Sequence, residues 1–409
     1  MRYRNVLCAL ACSFGVGCYQ QVPIDDPDGS PPPWDAAAYR DAGADAEGTF
    51  RPPLGKCVEP TGVDLLLVVD NSNSMAEEQA SLVRQLPALV HSLVEPPDED
   101  GDGTPDWLPI ADLQIGVVTT DMGTGGARVP TCLRADFGDD GILQTRGNPG
   151  IPGCQATYPP ILGFRPGRDR PEDYAADVAC VATLGTGGCG FEQQLEAALK
   201  ALSPAAPTSW TGPSYVPPVF FRGTSGHGDG ANRGFVRDDT LLAVVVVTDE
   251  EDCSVIDPEV FDPSSPRYGP TDLNLRCFTY PEALHPIERY VRGLAALRAQ
   301  RPDLLAFGLI VGVPVDLAAD VPREADFDAI ASDPRMIERV DPAMPSRLAP
   351  SCNTPGFGLA MPPRRLVEVA RGLTGHRTTV QSICQDDWSR PRAALARLLG
   401  TRACASYME

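Results

Sequence analysis

The sequence predicts an α/β domain with a doubly wound, mainly parallel central sheet flanked by helices. Three apolar runs, at 64–69, 241–248 and 304–312, are continuous rather than alternating. Continuous runs are typical of strands that are covered on both faces. Between the runs lie segments, such as 75–93, whose apolar residues recur at helical spacing. Strands that alternate with amphipathic helices form parallel sheets, and right-handed crossovers place the helices on both faces.

The remaining elements follow from the same two patterns. In chain order they are a helix over 75–93, a strand over 113–119, helices over 191–202 and 287–297, a helix from 366 to 375, a strand over 376–383 and a last helix that Ser389 caps and Gly400 closes. Pro87 lies inside the first helix and should kink or divide it, because proline has no N–H to donate. The stretches between the elements are rich in glycine and proline, which indicates long insertions.

The charge of the chain disfavours some classes of function. The formal net charge of the 409 residues is −21. A polyanion is poorly suited to bind nucleic acid or an anionic membrane through its charge, so no nucleic-acid partner is expected, whereas cation binding suits it. The chain has 4 histidines, and none has zinc-ligand spacing to another histidine or to a cysteine pair. Catalysis that depends on histidine is therefore disfavoured.

The N-terminus has the pattern of an export signal. Two arginines precede an apolar stretch at 6–16 that is too short to span a bilayer as a stable helix. The run SFGVGC that follows resembles a bacterial lipoprotein signal, with Cys18 as the lipid-modified residue. Cys12 is the rival lipidation site, and a plain secretory signal is the alternative. We expect residues 1–18 to be a signal peptide and a lipid to hold the chain at the cell envelope, in an outer membrane.

Residues 19–56 are predicted to be a disordered tether, because Pro, Asp, Ala and Gly dominate them and large apolar side chains are scarce. Such a segment is a partly stiff spacer between a membrane anchor and a folded domain. The composition changes at residue 57, so 57–409 is predicted to be one domain with insertions near 121–168, 203–238 and 250–282.

The cysteines indicate disulfides. Of the 13 cysteines, three lie in the signal region and ten follow it, an even number that suits an oxidised, exported protein better than a thiol site. No C-x-x-C motif is present, which disfavours redox catalysis. Spacing does not fix the connectivity. The pairs that we favour are Cys132–Cys154, Cys180–Cys189, Cys253–Cys277, Cys352–Cys384 and Cys57–Cys404.

A candidate metal site follows the first apolar run. In VVDNSNSM, Asp70, Ser72 and Ser74 occur at a spacing of two in the turn that leaves the strand. A carboxylate and two hydroxyls so placed can converge on one point, and hard oxygen ligands suit Mg²⁺ or Mn²⁺. Ligands of parallel sheets bind beyond the carboxyl ends of the strands, where this motif falls. The alternative is a turn and helix N-cap without a metal, since Asp, Asn and Ser favour such positions.

The motif D-x-S-x-S after a buried strand resembles the metal-ion-dependent adhesion site of the von Willebrand factor type A domain. The resemblance extends over roughly residues 60–404 and implies a Rossmann-like fold. The family carries an Asp at the end of its fourth strand, which Asp249 in VVVVTDEED matches. It also carries a Thr in a glycine-containing loop before a helix. Thr186 in LGTGGCGFEQQ is the match that we favour, and Thr119 or Thr120 in VVTTDMG is the alternative.

The resemblance also implies how the site works. In this family the two serines and the threonine touch the metal, the aspartates act directly or through water, and one coordination position takes a carboxylate from a partner protein. The loop that holds Thr186 also contains Cys189, which departs from the usual pattern of the family.

A second acidic motif is DEDGDGTPD, which resembles a calcium loop of the EF-hand or thrombospondin type 3 kind. Asp98, Asp100, Asp102 and Asp106 occupy its first, third, fifth and ninth positions. The twelfth position is a proline, so the bidentate carboxylate of an EF-hand is missing. The motif predicts a weak Ca²⁺ site, and the alternative is a solvated acidic loop.

Three functions remain. The first, which we favour, is a lipid-anchored binding protein that docks a protein partner's carboxylate through the metal and is not an enzyme. The second is a metal-assisted hydrolase that uses Asp70 and Asp249. The third is a cell-envelope domain in which the metal only stabilises the fold. Sparse histidines and the lack of a nucleophile-elbow motif disfavour the hydrolase.

Overall fold

A computed structural model of the chain describes residues 60–98 and 101–400. Its centre is a six-stranded sheet with the strand order β3-β2-β1-β4-β5-β8. The strands of this sheet are β1 (Val63–Val69), β2 (Leu113–Thr119), β3 (Leu162–Phe164), β4 (Leu241–Val247), β5 (Leu305–Val311) and β8 (Arg377–Ser382). Five of them are parallel neighbours, and β3 pairs antiparallel with β2 at one edge. The expected α/β fold with a mainly parallel, Rossmann-like sheet is confirmed.

Helices cover both faces of the sheet, as the sequence predicts. They are α1 (Ala76–Val94), α2 (Pro171–Ala182), α3 (Gln194–Leu202), α4 (Arg276–Thr279), α5 (Ile287–Ala296), α6 (Glu324–Ser332), α7 (Arg364–Gly372) and α8 (Ser389–Leu399). Alternate residues of β1 separate two cores: Leu65 and Leu67 pack with α1, α2 and α8, whereas Leu66 and Val68 pack with α3, α5, α6 and α7. Each strand residue thus buries its side chain against one helical layer or the other.

The predicted helix over 75–93 is one helix, α1, with Pro87 inside it. Division at Pro87 is therefore wrong. Five apolar side chains of α1 on either side of the proline are buried in one core: Leu82, Leu86, Leu89, Val90 and Leu93. Continuous burial of that stripe offsets the single hydrogen bond that proline removes.

Several elements lie in segments that the sequence left as insertions or connections. They are β3, α2, α4, α6 and a two-stranded antiparallel hairpin of β6 (Cys352–Thr354) and β7 (Gly358–Ala360). At the opposite edge from β3, the backbone of Ala319 exchanges two hydrogen bonds with that of Val380 on β8, at 2.8 and 2.9 Å. Both edges of the sheet are therefore partly covered.

Four disulfides lie in the described part of the chain. They join Cys132 to Cys189, Cys154 to Cys180, Cys253 to Cys277 and Cys352 to Cys384. The last two pairs are as predicted, but Cys132–Cys154 and Cys180–Cys189 are wrong. That prediction joined cysteines that are near in sequence. Closing a longer loop adds little entropic cost, so proximity in sequence is a weak guide to disulfide connectivity. The disulfides indicate an oxidising, exported environment.

A buried lysine connects two of the insertions to α3. Lys200 is 1% exposed, and its ammonium group donates to Asp140 of the first insertion and to Thr224 of the second. His227 lies 3.0 Å from the other oxygen of Asp140. The charge of Lys200 is thus paired, as a buried ammonium requires.

Some predictions concern residues outside the described ranges. These are the signal peptide with Cys18, the tether over 19–56, the Cys57–Cys404 pair and Asp100. Within residues 60–98 and 101–400, none of the helices has both the length and the apolar character needed to cross a bilayer.

Candidate functional site

The candidate site lies where the two central strands end. Asp70 follows β1 directly, and Asp249 follows β4 by one residue. The strands are paired in register, with Val69 opposite Val247, and the N–H of Asp70 donates to the carbonyl of Val247 at 2.9 Å. The structure therefore brings the two aspartates to the same carboxyl edge of the sheet, as the sequence predicts.

Asp70 is held rigidly. It is 0% exposed, its Oδ1 accepts from the N–H of Ser72 at 2.8 Å, and its Oδ2 accepts from the hydroxyl of Thr248 at 2.6 Å. The side-chain amide of Gln79, on α1, donates to the backbone carbonyl of Asp70 at 2.8 Å. Burial raises the pKa of the Asp70 carboxyl above its usual value, although these hydrogen bonds oppose the rise.

The two serine hydroxyls link the aspartates. Ser72 Oγ and Ser74 Oγ lie 2.9 Å apart, and Ser74 Oγ donates to Asp249 Oδ1 at 3.2 Å. Burial raises the pKa of Asp249 well above its usual value, and the neighbouring charges of Glu250 and Asp70 raise it further. The backbone N–H of Ser72 bonds to Asp70 and its hydroxyl continues to Ser74 and Asp249, so these four residues form one hydrogen-bonded group.

Glu192 joins this group, and the sequence reasoning missed it. Its side chain is buried, and burial followed by the charges of Asp70 and Glu250 raises its pKa well above the usual value. Ser72 opposes that rise, and Ser72 and Glu192 line the same cleft. The predicted helix began at residue 191, which made Glu192 a helical residue, whereas α3 begins at Gln194 and leaves Glu192 in the loop at the site.

Thr186 lies earlier in the same loop, two residues before Gly188. Beyond it the loop is fixed to the D-x-S-x-S turn, because the N–H of Gly188 donates to the carbonyl of Asn71 at 2.8 Å. A Cβ at position 188 would collide with the side chain of Asn71, so glycine is required there. The Cys132–Cys189 disulfide then ties this loop to the first insertion.

Of the two alternative threonines, Thr120 lies closer to the site. Thr120 is buried, and its hydroxyl opposes the rise in the pKa of Asp70. Thr119 instead donates to Asp139 at 2.8 Å. Glu192 and Thr120 are therefore described residues whose side chains act on Asp70 or are acted on by it.

The group opens into a cleft of about 880 Å³, which we call the acidic cleft. Eight acidic residues line it: Glu77, Glu78, Glu192, Asp249, Glu250, Glu251, Asp252 and Glu338. Burial, and then the charges of Asp70 and Glu78, raise the pKa of Glu250 to about 8. Burial raises the pKa of Glu78 to about 7. These carboxylates repel one another, which favours a bound cation.

The residues present fit a divalent cation of the Mg²⁺ or Mn²⁺ class. They offer carboxylate and hydroxyl oxygens, the ligands that such ions prefer. Within the described ranges, no Arg, Lys or His forms a salt bridge with Asp70, Glu192, Asp249 or Glu250. Buried carboxylates without a basic partner are costly unless a cation compensates them.

A different group on the surface also has metal-ligand geometry. His91 and Glu95, at the end of α1, and Glu172, in α2, bring one ligand atom each within 4.8 Å of one another. It is the one such group of His, Cys, Asp or Glu in the described residues. The described carboxylates of the Asp70 group do not bring three ligand atoms within that distance of one another, so a cation there would depend on the serine hydroxyls as well.

The predicted calcium loop is exposed and closes on itself. Both oxygens of Asp98 accept backbone N–H groups, from Asp102 at 3.1 Å and from Gly103 at 2.9 Å. Gly103 has a φ of 87°, which favours glycine. The N–H of Asp106 donates to the carbonyl of Pro97 at 2.8 Å. The turn geometry accounts for Asp98 and Gly103 of this motif.

No family model matches the sequence, and no curated protein matches it.

Proposed function

We propose that this chain is an exported binding protein whose von Willebrand factor type A domain docks a protein partner through a divalent cation. The observation that carries the proposal is the group of oxygens around Asp70. It joins the D-x-S-x-S turn after β1 to Asp249 after β4. This is the order of residues, and the edge of the sheet, that the family resemblance implies.

Ser72 and Ser74 would hold the cation through their hydroxyls, and Asp70, Asp249 and Glu192 would balance its charge. When bound, the ion supplies a Lewis-acidic position for a carboxylate oxygen of the partner. Glu192 would add one carboxylate to the residues that the resemblance implies. An additional carboxylate strengthens the attraction for a cation and weakens the ion's net positive field toward the partner.

Binding is favoured over hydrolysis by what lines the acidic cleft. No histidine is among the described residues that line it. His227 pairs with Asp140 in the insertions, and the ring of His376 faces the carbonyl of Pro302 at 2.8 Å. The alternative, a metal-assisted hydrolase, would need a general acid or base near neutral pH, and the cleft's carboxyls Glu78 and Glu250, whose pKa values burial raises to about 7 and about 8, would have to supply it.

Export and anchoring complete the proposal. A lipid on Cys18 would hold the protein at the cell envelope, and residues 19–56 would carry the domain away from the membrane. Four disulfides are consistent with folding outside the reducing cytoplasm. Mass spectrometry of the mature N-terminus tests the lipid modification. A mature chain that begins at a residue other than Cys18 and carries no lipid would contradict it.

Titration calorimetry of the mature chain with Mg²⁺, Mn²⁺ and Ca²⁺ tests the metal. We expect Mg²⁺ or Mn²⁺ to bind with at least millimolar affinity, and Asp70→Asn and Ser74→Ala to weaken binding. Ser264→Ala removes an exposed hydroxyl that bonds to Asp262, and serves as the matched control. Failure of the wild-type chain to bind any of the three ions at millimolar concentration would refute the proposal.

A further inference from the structure

A second cavity, which we call the insertion pocket, lies where the three predicted insertions meet at α3. Its volume is about 280 Å³. The first insertion supplies Phe137 and Asp140, the second supplies the run 219–222, the third supplies Ile256 and its neighbours, and α3 contributes Lys200. Among the described residues, none lines both this pocket and the acidic cleft. Segments far apart in the chain thus converge on a cavity that the proposed function does not use.

Two residues of the insertion pocket have a backbone conformation that side chains rarely adopt. Asp140 has a φ of 58° and Arg222 a φ of 54°, and they are the described residues other than glycine with a positive φ. Aspartate is enriched in this conformation, whereas arginine is not. Strained residues persist only where the surrounding structure fixes them, and they cluster at binding sites. The backbone therefore marks this pocket as a candidate binding site.

The pocket holds one of the two lysines of the chain. Among 34 lysines and arginines, Lys56 and Lys200 are the lysines. The buried ammonium of Lys200 donates to Asp140 and to Thr224. An ammonium group has three N–H donors, and no described residue accepts the third. Because a buried donor without an acceptor is costly, the pocket favours a ligand oxygen at this position.

Phenylalanine rings surround the ammonium, and their faces already meet cations. Lys200 Nζ lies 5.6 Å from the ring centroids of both Phe137 and Phe220. The guanidinium carbon of Arg222 lies 5.5 Å from the centroid of Phe137 and 5.0 Å from that of Phe221. A cationic ligand would compete with these two charges for the same rings and would be repelled by them. The pocket is therefore not a cage for an ammonium ligand.

An anionic ligand is disfavoured as well. The lining side chains of Lys200 and Arg222 are balanced by those of Asp140 and Glu196, and Glu196 also binds Arg289 at 2.8 Å. A further carboxylate at the ammonium would lie beside Asp140 without a cation of its own. A neutral oxygen can accept the third N–H of Lys200 without that repulsion.

We propose that the insertion pocket binds a phenol, whose ring packs among Phe137, Phe220 and Phe221 and whose oxygen accepts a hydrogen bond from Lys200. The cavity is slightly smaller than the roughly 300–1,000 Å³ of pockets for drug-sized ligands, so a single ring suits it. The phenol can be a free small molecule or the side chain of a tyrosine, because both present the same chemistry. The site needs no metal and is independent of the proposed function.

Lysine-selective NMR tests the pocket in the mature chain, with EDTA present so that the metal site takes no part. The chain is labelled with ¹³Cε-lysine, which gives one signal for Lys200 and one for Lys56. The probe p-cresol, which is the tyrosine side chain as a free molecule, should shift the Lys200 signal saturably and leave the Lys56 signal in place. Toluene has the ring but no oxygen, and it should bind about tenfold more weakly because it cannot accept from the ammonium.

Two variants connect the binding to the pocket. Phe221→Ala removes a half-buried wall of the insertion pocket and should weaken p-cresol binding severalfold. Phe278→Ala is the matched control, because Phe278 is also half-buried but lines the acidic cleft, and it should leave the affinity unchanged. Lys200→Met/Asp140→Asn removes both charges of the buried pair, which costs less than leaving one charge alone. In ligand-observed NMR this double variant should no longer prefer p-cresol over toluene.

The probe N-acetyltyrosinamide separates the two sources of the phenol. If it binds as tightly as p-cresol, the pocket admits a tyrosine of a polypeptide. If it is excluded, the ligand is a free phenol, and both results support the site. Equal affinity for toluene and p-cresol, or tighter binding of 4-methylbenzoate or 4-methylbenzylammonium, would overturn the proposal.

The remaining outcomes also overturn the phenol site. They are an unmoved Lys200 signal, equal shifts of the Lys200 and Lys56 signals, and unchanged p-cresol affinity in Phe221→Ala. Because the measurements are made in EDTA, none of these outcomes changes the expectation for Mg²⁺ binding. Failure of the phenol site is therefore distinguishable from failure of the proposed function.

Discussion

Removing the Cys132–Cys189 disulfide tests whether the loop that carries Glu192 must be anchored. The bridge closes a loop with a sequence separation of 57. The chain-entropy relation for a cross-link of this length gives a loss of about 4 kcal/mol in the free energy of unfolding. We therefore expect Cys132→Ala/Cys189→Ala to lose about that much, measured by urea unfolding with linear extrapolation.

The same variant should also bind Mg²⁺ more weakly. Cys189 lies between Gly188, which bonds to Asn71, and the site residue Glu192. Without the disulfide the loop that carries Glu192 is less restricted. Loss of a group that orients metal-binding residues changes metal affinity by roughly 10- to 100-fold. Calorimetric titration at a temperature where the variant remains folded measures the change.

The Cys154–Cys180 bridge is the matched control. Its sequence separation is 26, for which the same relation gives about 3.5 kcal/mol. Neither cysteine lines the acidic cleft. Cys154→Ala/Cys180→Ala should thus lose nearly as much stability but keep its Mg²⁺ affinity. Equal losses of affinity in the two variants, or no loss in the first, would refute the reasoning.

Three further outcomes are expected. Asp140→Asn leaves the buried ammonium of Lys200 without its carboxylate and should lower the free energy of unfolding by about 3 kcal/mol in urea. Burial raises the pKa of Asp140, but His227 and Lys200 outweigh it, so the pKa lies below its usual value. The difference in the free energy of unfolding between the wild type and Asp140→Asn should therefore be constant above the unfolded pKa of about 3.9, and it should shrink as the pH falls toward the folded pKa. A difference that stays constant down to the folded pKa would contradict the pairing of Asp140 with Lys200. Gly188→Ala forces a collision with Asn71 and should cost about 1 to 3 kcal/mol in thermal or urea unfolding, whereas an unchanged midpoint would show that the loop relaxes freely. Ser74→Ala should change the free energy of unfolding by less than about 0.5 kcal/mol, because Ser74 is exposed. A loss of Mg²⁺ binding in this variant would therefore come from the missing hydroxyl and not from unfolding.

Continuous apolar runs made the sheet predictable. Strands β1, β4 and β5 are buried along their whole length, so each reads as an apolar segment, interrupted only by Asp64 near the start of β1. The short edge strand β3 has three residues and alternates in burial, which leaves no such signal. Helix α2 did carry signals, a proline at its start and acidic residues in its first turn, but it lies between the first insertion and the helix predicted from residue 191, where no element was predicted.

The candidate site was predictable where it follows a strand. Asp70, Ser72, Ser74 and Asp249 come directly after β1 or β4, and the end of a strand can be read from apolar residues. Glu192 comes from a loop before a helix, and helix starts are uncertain by a few residues in sequence. Its place at the site depends on the Gly188 contact and the Cys132 bridge, which join residues far apart in the chain.

The protected edges of the sheet have a consequence for a chain that folds after export. An uncovered strand edge presents unpaired N–H and C=O groups to other copies, which promotes aggregation. Here one edge ends in the three-residue strand β3 and the other is partly paired by Ala319. Copies of the folded chain therefore present only a short or partly paired strand edge to one another.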